Sequence, residues 1–575
     1  MGLTPLAGVR SLQRELQKSE ASAARAATTR SALDPVSLEI VWQRLTAVAD
    51  EAATTLVRTS FSPIMRESND LSCVIFDAHA NAIAEDTIGI PSFNVTLGRT
   101  LRHVLGQRPP STWRQGDVMV TNDPWIGAGH LPDATVIAPV FRDGRLLGWV
   151  GSIGHQVDVG GTGWSADASE IYEEGLRLPP VLLRRAGTLN DDIVDVIRAN
   201  VRLPDHLLGD LLAQVSAGEV AAERLIELSR DAELDDLDGI SAQMCDLTER
   251  SMRAAIAVIP DGVYRAQLEL DGTDTEAIHV EVAVEVAGEE LRVDYAGTSP
   301  QVQQGLNCVI NYTEAYTCYP LKCLLDPLTP RNEGSYQPIR VTAPEGSIVN
   351  PRFPAAVNAR HLVGHCLGGL VYQALAAVVP DRVIAESGSA PTMRAVISGL
   401  RDDGSRFSTI LFINGGMGAG SGHDGLSATC FPSNVISGSM EMVESLAPLR
   451  IWKKELAADS GGAGRFRGGL GQEVEVELLG DRECTLSFFV ERRSHPARGV
   501  LGGLPGSPAV VEWNGRRDGY RLKGRNRMRP GDRLVLRYPG GGGYGDPYER
   551  APDALRADLD AGFVSPAAGE AYGGR

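Results

Sequence analysis

Apolar residues recur at helical spacing across Val36–Arg58, directly behind the helix-start pair Asp34-Pro35, and predict a long amphipathic helix. The apolar runs Leu71–Phe76 and Ala82–Glu85 flank the turn-like Asp77-Ala78-His79-Ala80-Asn81 and predict two strands. His79 reads as a surface histidine of that turn. Val118–Val120 predicts a short strand leading into Asn122-Asp123-Pro124. Pro132 biases Leu131 away from helix, so His130 and Asp133 belong to a loop and not to one helical face. Ala134–Phe141 and Leu146–Ile153 then alternate as strands on either side of Asp143-Gly144, a two-residue hairpin signal. Pro139 within the first strand predicts an edge position or a bulge.

That hairpin carries a chemical consequence. Counting outward from Asp143-Gly144 sets Asp133 opposite residue 154 or 155, so His155 lies beside Asp133 although 22 positions separate them. Paired residues on adjacent strands have Cβ atoms about 4.5–5.5 Å apart, close enough to share a metal. The register stays open at this point, but the proximity holds for either choice. Imidazole plus carboxylate suits a divalent metal such as Zn²⁺ or Mn²⁺. The plainer alternative is two surface histidines and a turn aspartate that end strands. Three ligands that leave open positions would fit a catalytic site better than a closed structural one.

From Leu178 to about Ile256 the pattern turns helical, most clearly over Asp191–Arg198 and Leu207–Arg230. Val263–Tyr295 returns to alternation, with Val280, Val282, Val284 and Val286 on one face, and Pro354–Val379 contains another predicted helix. After Ser408 the chain becomes rich in glycine with β alternation up to Gly545, and Asp546–Arg575 predicts a short helix and a loose tail. These shifts predict a multidomain, mixed α/β fold: a flexible N-terminal extension (1–33), an N-terminal α/β domain with the candidate metal site (34–260), a central α/β domain (261–405) and a glycine-rich, β-rich C-terminal domain (406–575).

Composition narrows the function. With 575 residues, 43% of them apolar and 22% charged, the chain can bury a large core. A net charge of −18 argues against nucleic acid or an anionic membrane as partner and suits small-molecule chemistry. Eight cysteines without a CxxC pair indicate reduced thiols and a cytoplasmic address. No apolar run approaches the roughly 18 residues of a membrane span, and the N-terminus through Ser31 lacks the apolar core of a secretory signal.

Other motifs weigh less. His361 and His365 stand at i, i+4 on a predicted helix, but HExxH needs a glutamate where Leu362 stands, so they read as structural histidines. Gly420–Gly425 matches GxGxxG without a clear helix after it, which argues against a dinucleotide site. Gly540–Gly543 could cradle a phosphate, yet no GxxxxGK[ST] occurs, and a tight turn or subunit contact is the safer reading. No GxSxG elbow is present, so a serine-hydrolase mechanism lacks support. Glu173 and Glu174 read equally as acids near the metal and as solvated helix-start carboxylates.

Seven blocks, in order, resemble the hydantoinase B/oxoprolinase family: Asn122–Asp133, Gly154–Gly161, Glu170–Pro180, Leu324–Gly334, Ala343–Pro351, Asp459–Gly471 and Gly540–Pro547. With weaker similarity between them, the resemblance runs from about Asp34 to Arg550. It implies a B-type subunit that completes hydrolysis or carboxylation near a divalent metal. A separate A-type subunit would bind ATP with Mg and activate a carbonyl by phosphorylation, in a heterotetramer with this chain. The family metal motif maps onto His130, Asp133 and His155. Asp123 and Asp158 match acidic positions close by and are expected to accept a proton or orient an imidazole. The implied substrate is a hydantoin, lactam or 5-oxoproline-like ring. One alternative is an acetone or acetophenone carboxylase-like alpha subunit; another is a non-catalytic scaffold that docks the ATP-binding chain. Many members carry a histidine in the stretch matching Ile90–Asn94, and this chain has none, which marks a subgroup with a different substrate.

Overall fold

The computed structural model describes residues 33–273 and 275–573, so the predicted N-terminal extension lies outside the described residues apart from Leu33. The first helix spans Pro35–Thr59, and the Asp34 carboxylate caps it by accepting from Val36 N at 3.0 Å and Ser37 N at 3.2 Å. Strands β1 (Leu71–Phe76), β2 (Ala82–Glu85), β3 (Val118–Thr121), β4 (Asp133–Arg142), β5 (Arg145–His155), β6 (Val181–Arg185) and β7 (Thr188–Leu189) form one seven-stranded sheet in the order β2-β1-β5-β4-β3-β6-β7. Every neighbouring pair in it is antiparallel. Strands β6 and β7 interrupt the stretch expected to be helical after Leu178, because β6 pairs with the otherwise free side of β3.

Both faces of this sheet are covered. Leu71, Cys73 and Ile75 of β1 pack with the helices Pro35–Thr59 and Pro204–Asp231, whereas Val74 and Phe76 face the other side, where the Pro91–Gln107 helix packs. Burial on both faces is why β1 reads as an unbroken apolar run. Asp143 and Gly144 both adopt positive φ, 52° and 78°, the backbone of a type I′ hairpin turn. Pro139 meets both expectations in part. The β3 pairing of β4 ends at Ile137, short of Pro139, and a bulge follows between Val140 and Phe141.

Strands β8 (Gly262–Leu270), β9 (Ile278–Ala287), β10 (Glu290–Asp294) and β11 (Ile339–Thr342) build a second sheet, with Val280, Val282, Val284 and Val286 fully buried as the alternation predicts. The helices Ile310–Leu325 and Cys366–Leu375 pack beside it. The stretch Pro354–Val379 contains helix as expected, in two pieces, His361–Gly364 and Cys366–Leu375. The remaining strands are β12 (Arg394–Leu400), β13 (Arg406–Phe412), β14 (Leu449–Leu456), β15 (Gln472–Leu478), β16 (Cys484–Phe489), β17 (Val510–Trp513), β18 (Lys523–Met528) and β19 (Arg533–Arg537). They divide into the antiparallel sheets β13-β12-β16-β18 and β14-β15-β19-β17. One apolar cluster runs from Ile64 to Tyr544 and includes side chains of three sheets.

The glycine-rich region packs backbone against backbone. Gly416, Gly469 and Gly541 lie on neighbouring extended segments joined by backbone hydrogen bonds (Gly469 N to Met417 O, Gly541 N to Gly469 O). A Cβ on Gly416 would stand 1.7 Å from Gly469 O, and one on Gly541 would stand 2.1 Å from Met417 O. Only hydrogen fits between these backbones, which explains the density of glycine. The terminal segment is also not loose: its helix spans Pro552–Asp560, and Tyr572 is buried with Val564 against Ala463.

Candidate metal centre

Asp133 opens β4 and pairs directly with His155, the last residue of β5. The two side chains therefore share one face, and His155 Nδ1 lies 2.9 Å from Asp133 Oδ1. His130 arrives from the loop ahead of β4, which Asn122 anchors: its amide donates to Leu131 O at 2.8 Å and Leu176 O at 2.9 Å and accepts from Leu178 N at 2.7 Å. His130 Nε2 stands 2.8 Å from the same Asp133 oxygen. Among the described residues this is the only group of three or more such side chains whose ligand atoms converge, all within 4.8 Å of one another.

The protonation states favour a cation. His130 Nδ1 lies 3.1 Å from the Asn358 carbonyl, which can only accept, so Nδ1 carries the hydrogen. Burial, reinforced by the nearby Arg360 charge, pushes the His130 pKa down to about 4, so the ring is neutral at pH 7. Its Nε2 lone pair then faces a carboxylate oxygen at 2.8 Å with no hydrogen bond between them. Two lone pairs at that separation repel, and a shared divalent cation removes the conflict. Burial pushes the Asp133 carboxyl upward, but the Arg360 charge and the His155 hydrogen bond act against it, and the group is held well below the usual carboxylate range. Two imidazoles and an ionised carboxylate fit Zn²⁺ or Mn²⁺.

Arg360 completes the frame, and sequence spacing gave no sign of it, since 227 positions separate it from Asp133. Its guanidinium binds Asp133 Oδ2 through Nη2, donates to Ala128 O through Nε at 2.7 Å, and lies 4.0 Å above the Tyr312 ring. Gly129, at φ +96°, makes room for it: a Cβ there would stand 2.7 Å from Arg360 Cδ. Removing one partner of such a buried pair costs about 3–5 kcal/mol.

Glu174 supports the same loop from below. Its Oε1 accepts from Val357 N and Asn358 N, each at 2.7 Å, while Asn358 O accepts from both His130 and the Trp164 indole at 2.9 Å. Burial raises the Glu174 pKa to about 8. Glu173, by contrast, is exposed. The structure thus separates two carboxylates that read alike in sequence.

Asp123 and Asp158 stand elsewhere. Asp123 accepts from Trp125 N at 3.1 Å and lies 3.6 Å from Arg177. Asp158 ties its own loop to the Arg202-Leu203 backbone, accepting from Gly160 N and Leu203 N, each at 3.1 Å. Neither lines the cavity beside the triad. Asp70 is the acid that does line it, with Oδ2 4.0 Å from His155 Nδ1 and its carboxyl pushed upward by burial. His361 and His365 line it as well. The Ile90–Asn94 stretch, which lacks the family histidine, contributes Ile90 and Phe93 to the same wall.

Comparison with known proteins shows the family of the chain. The sequence profile of the hydantoinase B/oxoprolinase family matches residues 34–547. A chain described as the B component of a D-/L-hydantoinase from Pseudomonas sp. (strain NS671) is 32% identical over 562 residues, 93% of each chain. The crystal structure of ATP-dependent caprolactamase from Pseudomonas jessenii superposes with a TM-score of 0.87 at 31% identity, covering 94% of this chain and 96% of that one. Nucleotide-free acetone carboxylase has the same fold, with a TM-score of 0.86 at 20% identity over 94% of this chain and 79% of that one. The chain belongs to the hydantoinase B/oxoprolinase family.

Proposed function

We propose that this chain is the B-type subunit of an ATP-dependent cyclic amide hydrolase acting on a hydantoin, lactam or 5-oxoproline-like ring, with an A-type partner that carries ATP and Mg. The observation that carries this reading is the neutral His130 imidazole facing the ionised Asp133 carboxylate, with His155 on the same oxygen. The likeness to a hydantoinase component and to caprolactamase supports the substrate class. That the hydantoinase relative is one component of a larger enzyme supports a partner. Among the described residues no helix is long and apolar enough to cross a membrane.

An unstrained amide is a poor electrophile, and phosphorylation of its oxygen by the partner supplies a leaving group. A divalent cation held by His130, Asp133 and His155 would act as a Lewis acid and lower the pKa of a water. Arg360 keeps Asp133 ionised and fixed in orientation. Asn358 holds His130 in the tautomer that leaves Nε2 free. We assign the proton-accepting role to Asp70, the further carboxylate in the cavity.

The test is metal analysis of the purified protein beside a His130→Ala/His155→Ala variant, followed by reconstitution with an A-type chain. One Zn²⁺ or Mn²⁺ per wild-type chain, none in the variant, and lactam-dependent ATP turnover without bicarbonate incorporation are expected. Bicarbonate incorporation would select the carboxylase alternative, and full activity in the double variant would leave a scaffold.

A further inference from the structure

The cavity has a second wall that the metal triad does not use. Arg394, the first residue of β12, is 4% exposed, and its Nε and Nη1 have no hydrogen-bond partner among the described residues. Its guanidinium carbon rests 4.5 Å above the Phe412 ring, with Cys430 as a hydrogen-bond partner and the Asp70 carboxyl as a charged neighbour, which leaves Nε and Nη1 unspent. His361, 4% exposed, has neither ring nitrogen bonded, and His365, 3% exposed, spends only Nε2, on the Tyr312 hydroxyl at 3.1 Å. Two unbonded nitrogens on a buried cation, an imidazole with neither nitrogen bonded and a second imidazole with Nδ1 unbonded are costly unless a ligand completes them.

We propose that Arg394, His361 and His365 form an anion subsite across the cavity from the metal triad, and that it takes the phosphoryl group of the activated substrate. This rests on the reading of the chain as the acceptor of a substrate phosphorylated by its partner. The donors come from two directions, a strand start and a helix start, and so surround a ligand in three dimensions. A tetrahedral phosphoryl group offers oxygens to both, whereas a planar carboxylate is gripped by the arginine fork alone. Burial holds both histidines far below their ordinary pKa, so each donates one N–H as a neutral ring and the fixed charge is that of Arg394. The arrangement sets the leaving group on one wall and the carbon under attack toward the other.

The cavity is small, about 30 Å³, with room for about two waters. Of its lining side chains Trp164 alone is not buried. Its ring lies 4.8 Å from His155 and 5.7 Å from His361, between the two walls. Gly160, Gly161 and Gly163 precede it at positive φ. Entry of a phosphoryl group therefore requires Trp164 to move outward.

The experiment measures inorganic phosphate binding to the metal-free full-length chain by equilibrium dialysis, so that no phosphate is counted on a metal. One phosphate per wild-type chain is expected. Arg394→Gln should weaken it at least about 10-fold, Arg394→Lys should restore part of it, and His130→Ala/His155→Ala should leave it intact. Thermal midpoints of all variants separate lost binding from lost folding, and Arg394→Lys keeps the test decisive if Arg394→Gln does not fold. Absence of phosphate binding in the wild type, equal binding in the folded Arg394 variants, or displacement by acetate as readily as by phosphate would each overturn the subsite. Phosphate binding without ATP-dependent ring opening in the reconstituted complex would instead remove the hydrolase reading and leave the subsite standing.

Discussion

Asp133 stands opposite His155, and one extra residue decides it. From the turn outward Arg142 pairs with Arg145 and Phe141 with Leu146, but Val140 pairs with Gly148, leaving Leu147 as the extra residue of a bulge. Every later pair is shifted by one position, so Asp133 meets His155 and not Gly154. Deleting Leu147 should remove the bulge and keep Asp133 opposite His155, because the shortened strand then reaches the same pairs by regular counting. The expected outcome is a folded protein with wild-type metal content, read by metal analysis beside far-ultraviolet circular dichroism. Metal content as low as that of the His130→Ala/His155→Ala variant would show that the bulge itself, and not the register it sets, holds the site.

Gly129→Ala tests the Arg360 frame. The new Cβ meets Arg360 Cδ, and the backbone sits at φ +96°, where a side chain is strained. Loss of about 1–3 kcal/mol in urea unfolding is expected. Metal affinity should fall with it, because Asp133 loses its fixed partner. Unchanged stability would mean that Arg360 can shift without cost.

Glu174 gives the fold a pH dependence with a definite sign. Its pKa of about 8 lies above the ordinary value of 4.5, so the folded chain binds this proton more tightly than the unfolded one. The stabilisation is complete below about pH 4.5 and is lost as pH rises through about 8, at a slope of up to about 1.4 kcal/mol per pH unit. Glu174→Gln should be flatter over this range. The difference between wild-type and variant urea midpoints from pH 5 to pH 8 reads it directly, and parallel curves would exclude a protonated Glu174.

Trp164→Ala should open the cavity without removing a ligand of the triad. Chelator stripping of the metal is expected to speed up several-fold while initial stoichiometry stays at the wild-type value. An unchanged stripping rate would place the entry route elsewhere.

Local chemistry made much of the scaffold legible. The pattern over Leu71–Phe76 and Ala82–Glu85 matches β1 and β2 to the residue, and Asp143-Gly144 folds as the hairpin turn its composition demands. Such features depend on neighbours a few positions apart, and alternation or turn preference records them. The nearness of Asp133 to His155 was legible for the same reason, because a tight hairpin converts sequence distance into spatial pairing, whereas His130 joined them through the family resemblance. The glycine segments were legible as unusual, but not in their purpose, since the backbones they admit come from residues 417, 469 and 541.

The sequence by itself determined the hairpin, the nearness of Asp133 to His155, and the donor chemistry of His130, Asp133 and His155. Tertiary structure alone decided the rest. Arg360, Asn358 and Trp164 reach the site from loops with no periodic signal, and Arg394 reaches it from the start of a strand in another sheet. Asp123 and Asp158, near in sequence to the ligands, are drawn away by backbone N–H groups that need acceptors. The reason is physical: hydrogen-bond periodicity within a strand or hairpin is written in short-range order, whereas the partner of a buried charge is chosen by packing among segments hundreds of residues apart.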